Sequence, residues 1–264
     1  MTTLARKNPL LAFVMSCVAA GWGLVYVGRV KWGVWVAAAL YGGVALMGLC
    51  GLLASPMGVL LFLLWVLSIK LASAIAAAIT ASRNSDSARY PSTRIHLLYL
   101  AGLVVLTLVM FEPLRPHLLG FKTYYVPSGS MIPTLDLGDY IVSDLRPGPV
   151  KVGDIVVHRY NGTEMVKRVA AVAGDTLAIV DGNVLVNGRN LGLFFAPPER
   201  ARRDYSQHLA ALQVEPGHVY LLGDNRDNSN DSRFMGQVAE SDITGRITGI
   251  WLAPDRSRIG TRFD

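Results

Sequence analysis

Ser130 and Lys167 are the residues whose types and settings could do chemistry together in this sequence. Ser130 lies in the segment Pro127-Ser-Gly-Ser-Met-Ile-Pro-Thr-Leu135, where Gly129 permits the close backbone approach that exposes a nucleophile. A serine hydroxyl is a poor nucleophile unless a neighbouring base takes its proton. Lys167 follows in an otherwise apolar stretch. We therefore predict a serine nucleophile that is activated by a lysine amine.

A strand over residues 164–173 would give Lys167 a physical reason to be neutral. Alternation along such a strand places Arg168 on one face and a mostly apolar set on the other, namely Met165, Lys167, Val169, Ala171 and Ala173. An amine among apolar neighbours is desolvated in its charged form, so its pKa should fall, and a neutral lysine can act as a general base. A lysine that snorkels from a strand edge is the alternative that this pattern leaves open.

The histidines offer a competing arrangement, a serine-histidine-aspartate site. Four of them lie in the polar half of the chain, at His117, His158, His208 and His218, and Asp154 precedes the second by four residues. None lies in a recognisable catalytic motif, and we expect His158, in the run Val-Val-His-Arg, to face solvent. The serine-lysine interpretation is therefore favoured.

A third candidate segment, Gly223-Asp-Asn-Arg-Asp-Asn-Ser-Asn-Asp-Ser-Arg233, is dense in aspartate and asparagine. That density suggests calcium, but the segment lacks the glycine and the terminal glutamate at the spacing of an EF-hand loop. The interspersed Arg226 and Arg233 favour an internal network of ion pairs and hydrogen bonds.

Charge and hydropathy divide the chain into two halves. The chain has 264 residues, of which 52% are hydrophobic, and its mean hydropathy is +0.36. Residues 1–111 hold eight basic residues and one acid, Asp86, whereas the remainder holds 17 basic and 18 acidic residues, so the net charge of +6 is +7 in the first part and −1 in the second. A pI near 9.4 is typical of nucleic-acid-binding proteins. Here the basic residues flank apolar segments, so we predict a membrane protein with no nucleic-acid partner.

Four apolar stretches precede the polar half, at 9–28, 34–54, 57–81 and 95–111, and each approaches the ~20 residues that cross a bilayer core. With four spans, the N-terminus and the polar half share one side of the membrane. The opposite loops then hold five basic residues, Arg29, Lys31, Arg83, Arg89 and Arg94, against Arg6 and Lys7 in the tail. The positive-inside bias places these loops in the cytoplasm and the polar half outside.

Two features of the apolar half stay open at this point. The first stretch contains Gly21, Trp22, Gly23 and Gly28, which would also suit an interfacial or re-entrant segment. Losing that span would move the N-terminus inside without moving the polar half. Lys70 falls in the middle of the third stretch; a charge at that depth suggests function, but a packed or snorkelling structural role is the interpretation that we favour from the sequence. The two cysteines, Cys17 and Cys50, also lie in apolar stretches.

The polar half is predicted to be mainly β. Short apolar or alternating runs lie between turn signals such as Arg-Pro-Gly-Pro at 146–149, and they occur at 140–145, 154–159, 165–173, 176–180, 183–187, 219–222 and 247–253. The pair Asp181-Gly182 favours a primed turn, which predicts a hairpin between the fourth and fifth runs. Residues 190–213 suggest an insertion or mobile loop with room for a short helix at 205–213.

Three blocks together resemble the bacterial type I signal peptidase, or leader peptidase, family. They are residues 127–135, the run Val166-Lys-Arg-Val169 continuing to Gly174-Asp175, and residues 223–233. The linking pieces Gly138-Asp-Tyr-Ile-Val142, Gly153-Asp-Ile-Val-Val157 and Ile250-Trp251 match in the same order, so the resemblance covers about residues 112–264. It implies a mainly-β, signal-peptidase-like catalytic domain behind a multi-span helical membrane half. The expected bounds are 1–111 for about four helices and 112–264 for an extracytoplasmic peptidase domain with an insertion near 190–213.

The resemblance also implies a role for each matching residue. Ser130 matches the nucleophile, Lys167 the general base, and Ser128 a hydroxyl that joins the Ser130 backbone N–H in the oxyanion hole. Ser229 matches a hydroxyl that orients the lysine amine, and Asp231 with Arg233 matches a supporting ion pair. The shallow pockets for the small side chains before the cut match Val126, Pro127, Met131, Leu135, Met165 and Val166. No metal and no cofactor is implied.

The implied activity is the removal of signal peptides from secretory preproteins, cut after an Ala-x-Ala-like site at the outer face of the bacterial inner membrane. We therefore expect a multi-pass protein whose catalytic domain lies in the periplasm or outside, with preproteins and the lipid bilayer as partners; a contact with the secretion machinery stays open. The alternatives are a specialised conjugation or pilus-system peptidase, which the complete 223–233 block disfavours, and an inactive membrane scaffold, which the intact site residues disfavour. Family members usually have one or two spans before the nucleophile, so four would leave the client range open.

Overall fold

The computed structural model describes residues 7–83, 91–146 and 148–263. The chain divides into two compact units, one formed by Met1–Leu53 with Gly58–Gly120 and the other by Ala54–Met57 with Phe121–Asp264. Four residues used in the sequence arguments, Arg6, Asp86, Arg89 and Pro147, lie outside the described residues.

The first unit is helical. Its helices are α1 (Pro9–Val18), α2 (Trp22–Tyr26), α3 (Val30–Leu49), α4 (Pro56–Arg83) and α5 (Thr93–Phe111), with a 3₁₀ turn at Leu52–Ala54 and a π-helical turn at Arg115–Leu119. Within the described residues, α3, α4 and α5 are long and apolar enough to cross a membrane. They correspond to the second, third and fourth apolar stretches of the sequence.

The first apolar stretch does not form the single long helix that a span requires. Asn8 caps α1 by accepting hydrogen bonds from two backbone N–H groups of the first turn. The chain then breaks at Gly21, whose φ of 78° lies in the left-handed region that glycine tolerates. Gly23 lets α2 pack against α1, because a Cβ there would collide with the Ala12 carbonyl. The prediction of a span at 9–28 is therefore not met by either short helix.

The second unit consists of two antiparallel sheets. Its strands are β1 (Phe121–Tyr125), β2 (Tyr140–Asp144), β3 (Ile155–Tyr160), β4 (Thr163–Val172), β5 (Thr176–Val180), β6 (Asn183–Val186), β7 (Arg189–Asn190), β8 (Leu209–Gln213), β9 (His218–Leu222), β10 (Val238–Ala239) and β11 (Ile243–Leu252). The larger sheet has the order β1-β2-β11-β3-β4-β9-β10 and the smaller one β7-β6-β5-β8. Two short helices, α6 (Asp204–Gln207) and α7 (Ser232–Met235), complete the unit.

The predicted β runs all contain a strand, and the predicted hairpin is confirmed. Asp181 and Gly182 both have positive φ, 48° and 78°, as a type I′ turn requires, and Val180 pairs with Asn183. The stretch 190–213 is more than a loop: it contains a 3₁₀ turn at Pro198–Arg200, then α6, then β8. A helix through residue 213 is wrong, because β8 pairs with β5 and this pairing outweighs local propensity.

A buried apolar cluster lies under the turn that follows β1. It contains three residues of that turn region, Val126, Met131 and Leu135, and it joins them to side chains of β2, β3 and β11, namely Ile141, Ile155, Val157, Ile247 and Ile250. Burial of this cluster fixes the turn on the larger sheet. The hydroxyl of Ser130 is thereby attached to a rigid part of the fold.

Candidate active site

Ser130 and Lys167 are brought together by the turn after β1 and by strand β4. Nζ of Lys167 lies 3.0 Å from Oγ of Ser130, which is a hydrogen-bond distance. The same amine donates to the backbone carbonyl of Val166 at 2.9 Å. Pairing of Val156 with Lys167 holds this part of β4 on β3. The two side chains predicted to form the reactive pair are therefore in direct contact.

The backbone around Ser130 is held by the segment 223–233. The Asn225 N–H donates to the Ser130 carbonyl at 3.0 Å, and the Asn225 side-chain amide donates to the Gly129 carbonyl at 2.8 Å. Gly223 is also close, because a Cβ at that position would lie 2.7 Å from the Ser130 carbonyl oxygen and would collide with the Ser229 side chain. The segment thus holds the backbone of the turn at Gly129 and Ser130, and its support of the reactive pair stays a prediction.

Burial changes the proton affinity of Lys167. Its side chain is only 2% exposed, and desolvation lowers its pKa to about 8, against the opposing effect of the Asp231 and Asp224 charges. The sequence argument for a buried amine is confirmed, and the snorkelling alternative is wrong. A substantial share of the amine is neutral near pH 8, which is the form that can accept a proton.

The alternation predicted along β4 is correct only in part. Lys167 contacts Ser130, whereas Arg168 pairs with Asp224 through two hydrogen bonds of 2.9 and 2.7 Å. A bulge between Val169 and Ala171 then interrupts the register with β9. Consequently Val169 and Ala171 belong to different apolar clusters, and Ala173 lies beyond the strand. The shared face predicted for all five residues is wrong beyond the bulge.

A groove of about 240 Å³ opens beside the reactive pair. Its lining includes Ser128, Ser130 and Lys167, and it also contains every residue that was expected to shape the substrate pockets: Val126, Pro127, Met131, Leu135, Met165 and Val166. Oγ of Ser128 lies 3.5 Å from Oγ of Ser130, and Ser128 is exposed at the surface. The structure thus gathers all of these residues at one place.

The ion pair predicted between Asp231 and Arg233 is present. Arg233 donates to both carboxylate oxygens of Asp231, at 2.8 and 2.9 Å, and this carboxylate also accepts from the Gly223 N–H at 2.9 Å. The Ser229 hydroxyl is buried and has no hydrogen-bond partner within the described part of the chain. The hydrogen bond expected from Ser229 to Lys167 is therefore not made in this structure, and the orienting role stays a prediction.

Two arginines have roles that the sequence did not reveal. Arg168 pairs with Asp224, and its guanidinium lies 3.7 Å from the ring centroid of Phe195. Arg226 is fully buried and donates to the carbonyls of Leu193 and Phe194, both at 3.0 Å. Burial lowers its pKa to about 10. Arg226 thus anchors the stretch 190–213 by hydrogen bonds to backbone carbonyls, which fits the predicted network of ion pairs and hydrogen bonds. No local signal in the sequence indicates this burial, because the residues around Arg226 are polar or charged.

His158 is fully buried, so the prediction that it faces solvent is wrong. The reason is topological: β3 lies between β11 and β4 in the interior of the larger sheet. Burial, with a smaller effect of the nearby Lys167 charge, lowers its pKa to about 4. Among the residues that the structure describes, no histidine lines the groove. A serine-histidine arrangement has no support here.

Comparison with known proteins identifies the family. The sequence model for signal peptidase, peptidase S26, matches residues 95–252, which is more than half of the chain. The chain belongs to this signal peptidase family. It is similar to a probable signal peptidase I-1 of Synechocystis sp. (33% identity; 56% of this chain and 76% of the relative) and to a signal peptidase I of Bacillus caldolyticus (31%; 56% and 85%). It is also similar to a signal peptidase I of Pseudomonas fluorescens (28%; 53% and 70%).

Family membership makes this protein a serine peptidase, a hydrolase whose family processes signal peptides. The matched residues contain β1–β11, and they include Ser128, Ser130, Lys167, Ser229 and the Asp231–Arg233 pair. The expected resemblance is thus confirmed at the level of the family. What each of these side chains does in the reaction is a separate question.

Proposed function

We propose that this signal peptidase is a membrane-inserted enzyme in which Ser130 is the nucleophile and Lys167 the general base. One observation carries the proposal: a buried amine with a pKa near 8 lies 3.0 Å from a serine hydroxyl at the side of a groove. The neutral amine accepts the hydroxyl proton as Oγ attacks. Near pH 8, neither a metal ion nor a histidine is needed for this step.

The proposed reaction has two halves. Ser130 Oγ bonds to the scissile carbonyl carbon while its proton passes to Lys167; the resulting oxyanion is stabilised by the Ser130 N–H and the Ser128 hydroxyl. The C–N bond then breaks as the Lys167 ammonium returns the proton to the leaving amine, which leaves an ester on Ser130. In the second half, Lys167 deprotonates a water that attacks the ester. The Lys167 ammonium then returns this proton to Ser130 Oγ as the ester C–O bond breaks, and the signal peptide departs with a free carboxylate.

The edge of β4 suggests how the substrate binds. Residues 163–167 pair with β3 on one side, whereas pairing with β9 on the other side begins only at Arg168. The groove runs along this unpaired edge, with Tyr125 and Val126 among its opposite walls. An extended peptide can add to such an edge as a further strand. The small volume of the groove fits alanine-sized side chains, which supports an Ala-x-Ala-like site.

Charge supports a placement of the membrane half with α3, α4 and α5 as spans. Arg29 and Lys31 lie where α3 begins, and Arg83 and Arg94 lie where α4 ends and α5 begins. These residues then share the cytoplasmic side, as the positive-inside bias favours. The chain leaves α5 on the opposite side, so the β-rich unit would be extracytoplasmic. In a bacterium this corresponds to the periplasmic or outer face of the inner membrane.

The test is cleavage of a preprotein with an Ala-x-Ala site by the full chain in lipid, alongside Ser130→Ala and Lys167→Ala. We expect each variant to lose about 10³-fold or more in rate, because each removes a group that acts in both halves of the reaction. The matched controls are Ser143→Ala and Lys151→Ala, which change the same residue types away from the groove.

Two results would count against the proposal. Undiminished cleavage by Ser130→Ala or Lys167→Ala would exclude the proposed pair. Absence of cleavage by the wild type with several preproteins in lipid would instead favour an inactive scaffold. A preprotein with phenylalanine in place of the last alanine should be cut poorly by the wild type, since several substrate residues must share a groove of about 240 Å³.

A further inference from the structure

Lys70 lies near the middle of the apolar helix α4. That helix extends from Pro56 to Arg83, so at 1.5 Å per residue Lys70 is about 20 Å from either end. If α4 crosses the membrane, as proposed above, the ammonium lies near the centre of a hydrocarbon core about 30 Å thick. A charge at that depth is costly unless it is paired or hydrated, and such residues usually mark a function.

The amine borders a cleft of about 420 Å³ in the helical unit. The walls are mostly apolar side chains of α3, α4 and α5, with the turn after α1 as a further border. Two hydroxyls also line the cleft: Tyr41 and Thr107 bond to each other, and Thr107 donates to the Leu103 carbonyl at 2.8 Å. Across the described residues, no hydrogen bond or ion pair involves Nζ of Lys70. The two hydroxyls therefore have hydrogen-bond partners, whereas the Lys70 ammonium has none among the described residues.

The proposed spans of this chain contain no carboxylate that could pair with Lys70. Residues 30–83 and 93–111 contain neither aspartate nor glutamate, and Glu112 follows only where α5 ends. A second copy of the chain would bring a second Lys70 and no carboxylate at this depth. The half-thickness of the core, about 15 Å, exceeds the length of a lysine side chain, so snorkelling leaves the amine short of the interface.

The depth of Lys70 also selects among outside partners. A lipid phosphate lies at the interface and does not reach the middle of the core. The apolar stretch of a signal peptide reaches that depth but carries no charge there. A transmembrane helix with one acidic residue at mid-span satisfies both requirements, because it supplies a carboxylate at this level and apolar side chains to fill the cleft.

We propose that the transmembrane helix of a partner protein packs over the cleft between α3, α4 and α5 and fills it with side chains, and that a mid-span aspartate or glutamate of this helix pairs with Lys70. This inference rests on the proposed insertion of these three helices in the membrane, but it does not depend on the chemistry at Ser130. It gives the helical unit a recruiting role that is separate from cleavage.

The test uses the full chain in phosphatidylcholine bilayers with a synthetic leucine-alanine helix of about 20 residues that spans the core. The helix carries a central glutamate and, one turn away, a photoreactive residue; a matched helix carries glutamine instead. Crosslink yield and position are read by mass spectrometry. We expect the glutamate helix to crosslink to the cleft, around Tyr41 and Thr107, with about tenfold higher yield than the glutamine helix.

Three variants make the result decisive. Lys70→Met should abolish the preference for glutamate, Lys31→Met at the start of α3 should keep it, and Lys70→Glu should transfer the preference to a helix with a central lysine. Lys70→Met should still cleave a preprotein at the wild-type rate, which shows that the protein is folded. Equal yields for the glutamate and glutamine helices, or an unchanged preference in Lys70→Met, would overturn the proposal. So would displacement of the helix by phosphatidylglycerol, which would identify the occupant as a lipid.

Discussion

Lys167 in the β-rich unit and Lys70 in the helical unit are both lysines among apolar side chains, yet their surroundings differ in kind. Lys167 has Ser130 Oγ at 3.0 Å and the Val166 carbonyl at 2.9 Å, and the Asp231 and Asp224 charges act on it from nearby. Lys70 borders an open cleft without a hydrogen-bond or ion-pair partner in the part of the chain that the structure describes.

The interaction partners of a buried charged side chain, rather than its burial alone, indicate its role in the protein. Around Lys167 every partner belongs to the same chain, and each is held by a strand or by the 223–233 segment, so the site is complete within one fold. Beside Lys70, the Tyr41 and Thr107 hydroxyls that line the cleft already make hydrogen bonds within the helical unit. A charge whose partner must come from elsewhere fits recognition, whereas a charge with internal partners fits chemistry.

The largest expected difference between the two units concerns the addition of one methyl group to a glycine in each. Gly223→Ala places a Cβ against the Ser229 side chain and 2.7 Å from the Ser130 carbonyl oxygen, whereas Gly102→Ala in α5 meets no described atom within 4 Å. A displacement of Ser130 by a fraction of an ångström disturbs its geometry with Lys167. We expect Gly223→Ala to lower kcat for preprotein cleavage about 100-fold, and Gly102→Ala to leave it unchanged.

Thermal unfolding of both variants distinguishes misplacement from loss of the fold. If Gly223→Ala cleaves at the wild-type rate, then the close packing of 223–233 on Ser130 does not position the nucleophile. If Gly223→Ala is unfolded at the assay temperature, the assay is repeated at a lower temperature. There we expect the variant to be folded and its cleavage rate to stay low.

The next effect concerns the proton on Lys167. Because its pKa is lowered to about 8, the amine is mostly protonated below that pH and mostly neutral above it. In the proposed mechanism only the neutral form accepts the Ser130 proton, so kcat/KM should rise about tenfold per pH unit below 8 and level off above it. A profile of the cleavage rate over pH 6–10 checks this, with substrate incubated without the enzyme as the control for substrate stability. A profile without an ascending limb near 8 would contradict a lysine base, and Lys70→Met should leave the limb in place.

The sequence predicts the features that depend on neighbouring residues better than those that depend on which elements pack together. The Asp181-Gly182 turn, the runs that became β2–β6 and the burial of Lys167 follow from neighbouring residues, and all were predicted. Strand β8 and the burial of His158 were not, because each depends on which strand lies alongside. The break at Gly21 was only an alternative in the sequence, since a glycine permits a left-handed turn without requiring it.

The candidate site shows the same limit. Nine of the residues that line the groove were predicted together, because their motifs resemble a known family. The Arg168–Asp224 pair and the stacking of Phe195 on Arg168 join segments that are far apart in the chain, and no pattern around them indicates the contact. That Lys70 has no polar partner among the described residues likewise depends on how the helices pack. Its mid-span position was visible in the sequence, but the cleft beside it was not.

The smallest effect in this comparison concerns Ser229, whose hydroxyl is buried without a hydrogen-bond partner among the described residues, as is that of Ser143 in β2. An ammonium has three N–H donors, and two of them can already reach Ser130 Oγ and the Val166 carbonyl. If Lys167 takes the proton during attack as proposed, its third donor needs an acceptor. Ser229 packs against Gly223 beside Ser130, so its hydroxyl is a candidate for that acceptor.

We therefore expect Ser229→Ala to lower kcat about fivefold, which corresponds to the ~1 kcal/mol of one hydrogen bond, with little change in KM. Ser143→Ala is the matched control, since it removes an equally buried hydroxyl away from the groove and should leave kcat unchanged. Neither variant should lose stability in thermal unfolding, because neither hydroxyl makes a hydrogen bond to another residue that the structure describes. Equal kcat values for the two variants would mean that Lys167 is oriented by Ser130 and its own strand alone, and the third donor would then be satisfied by water.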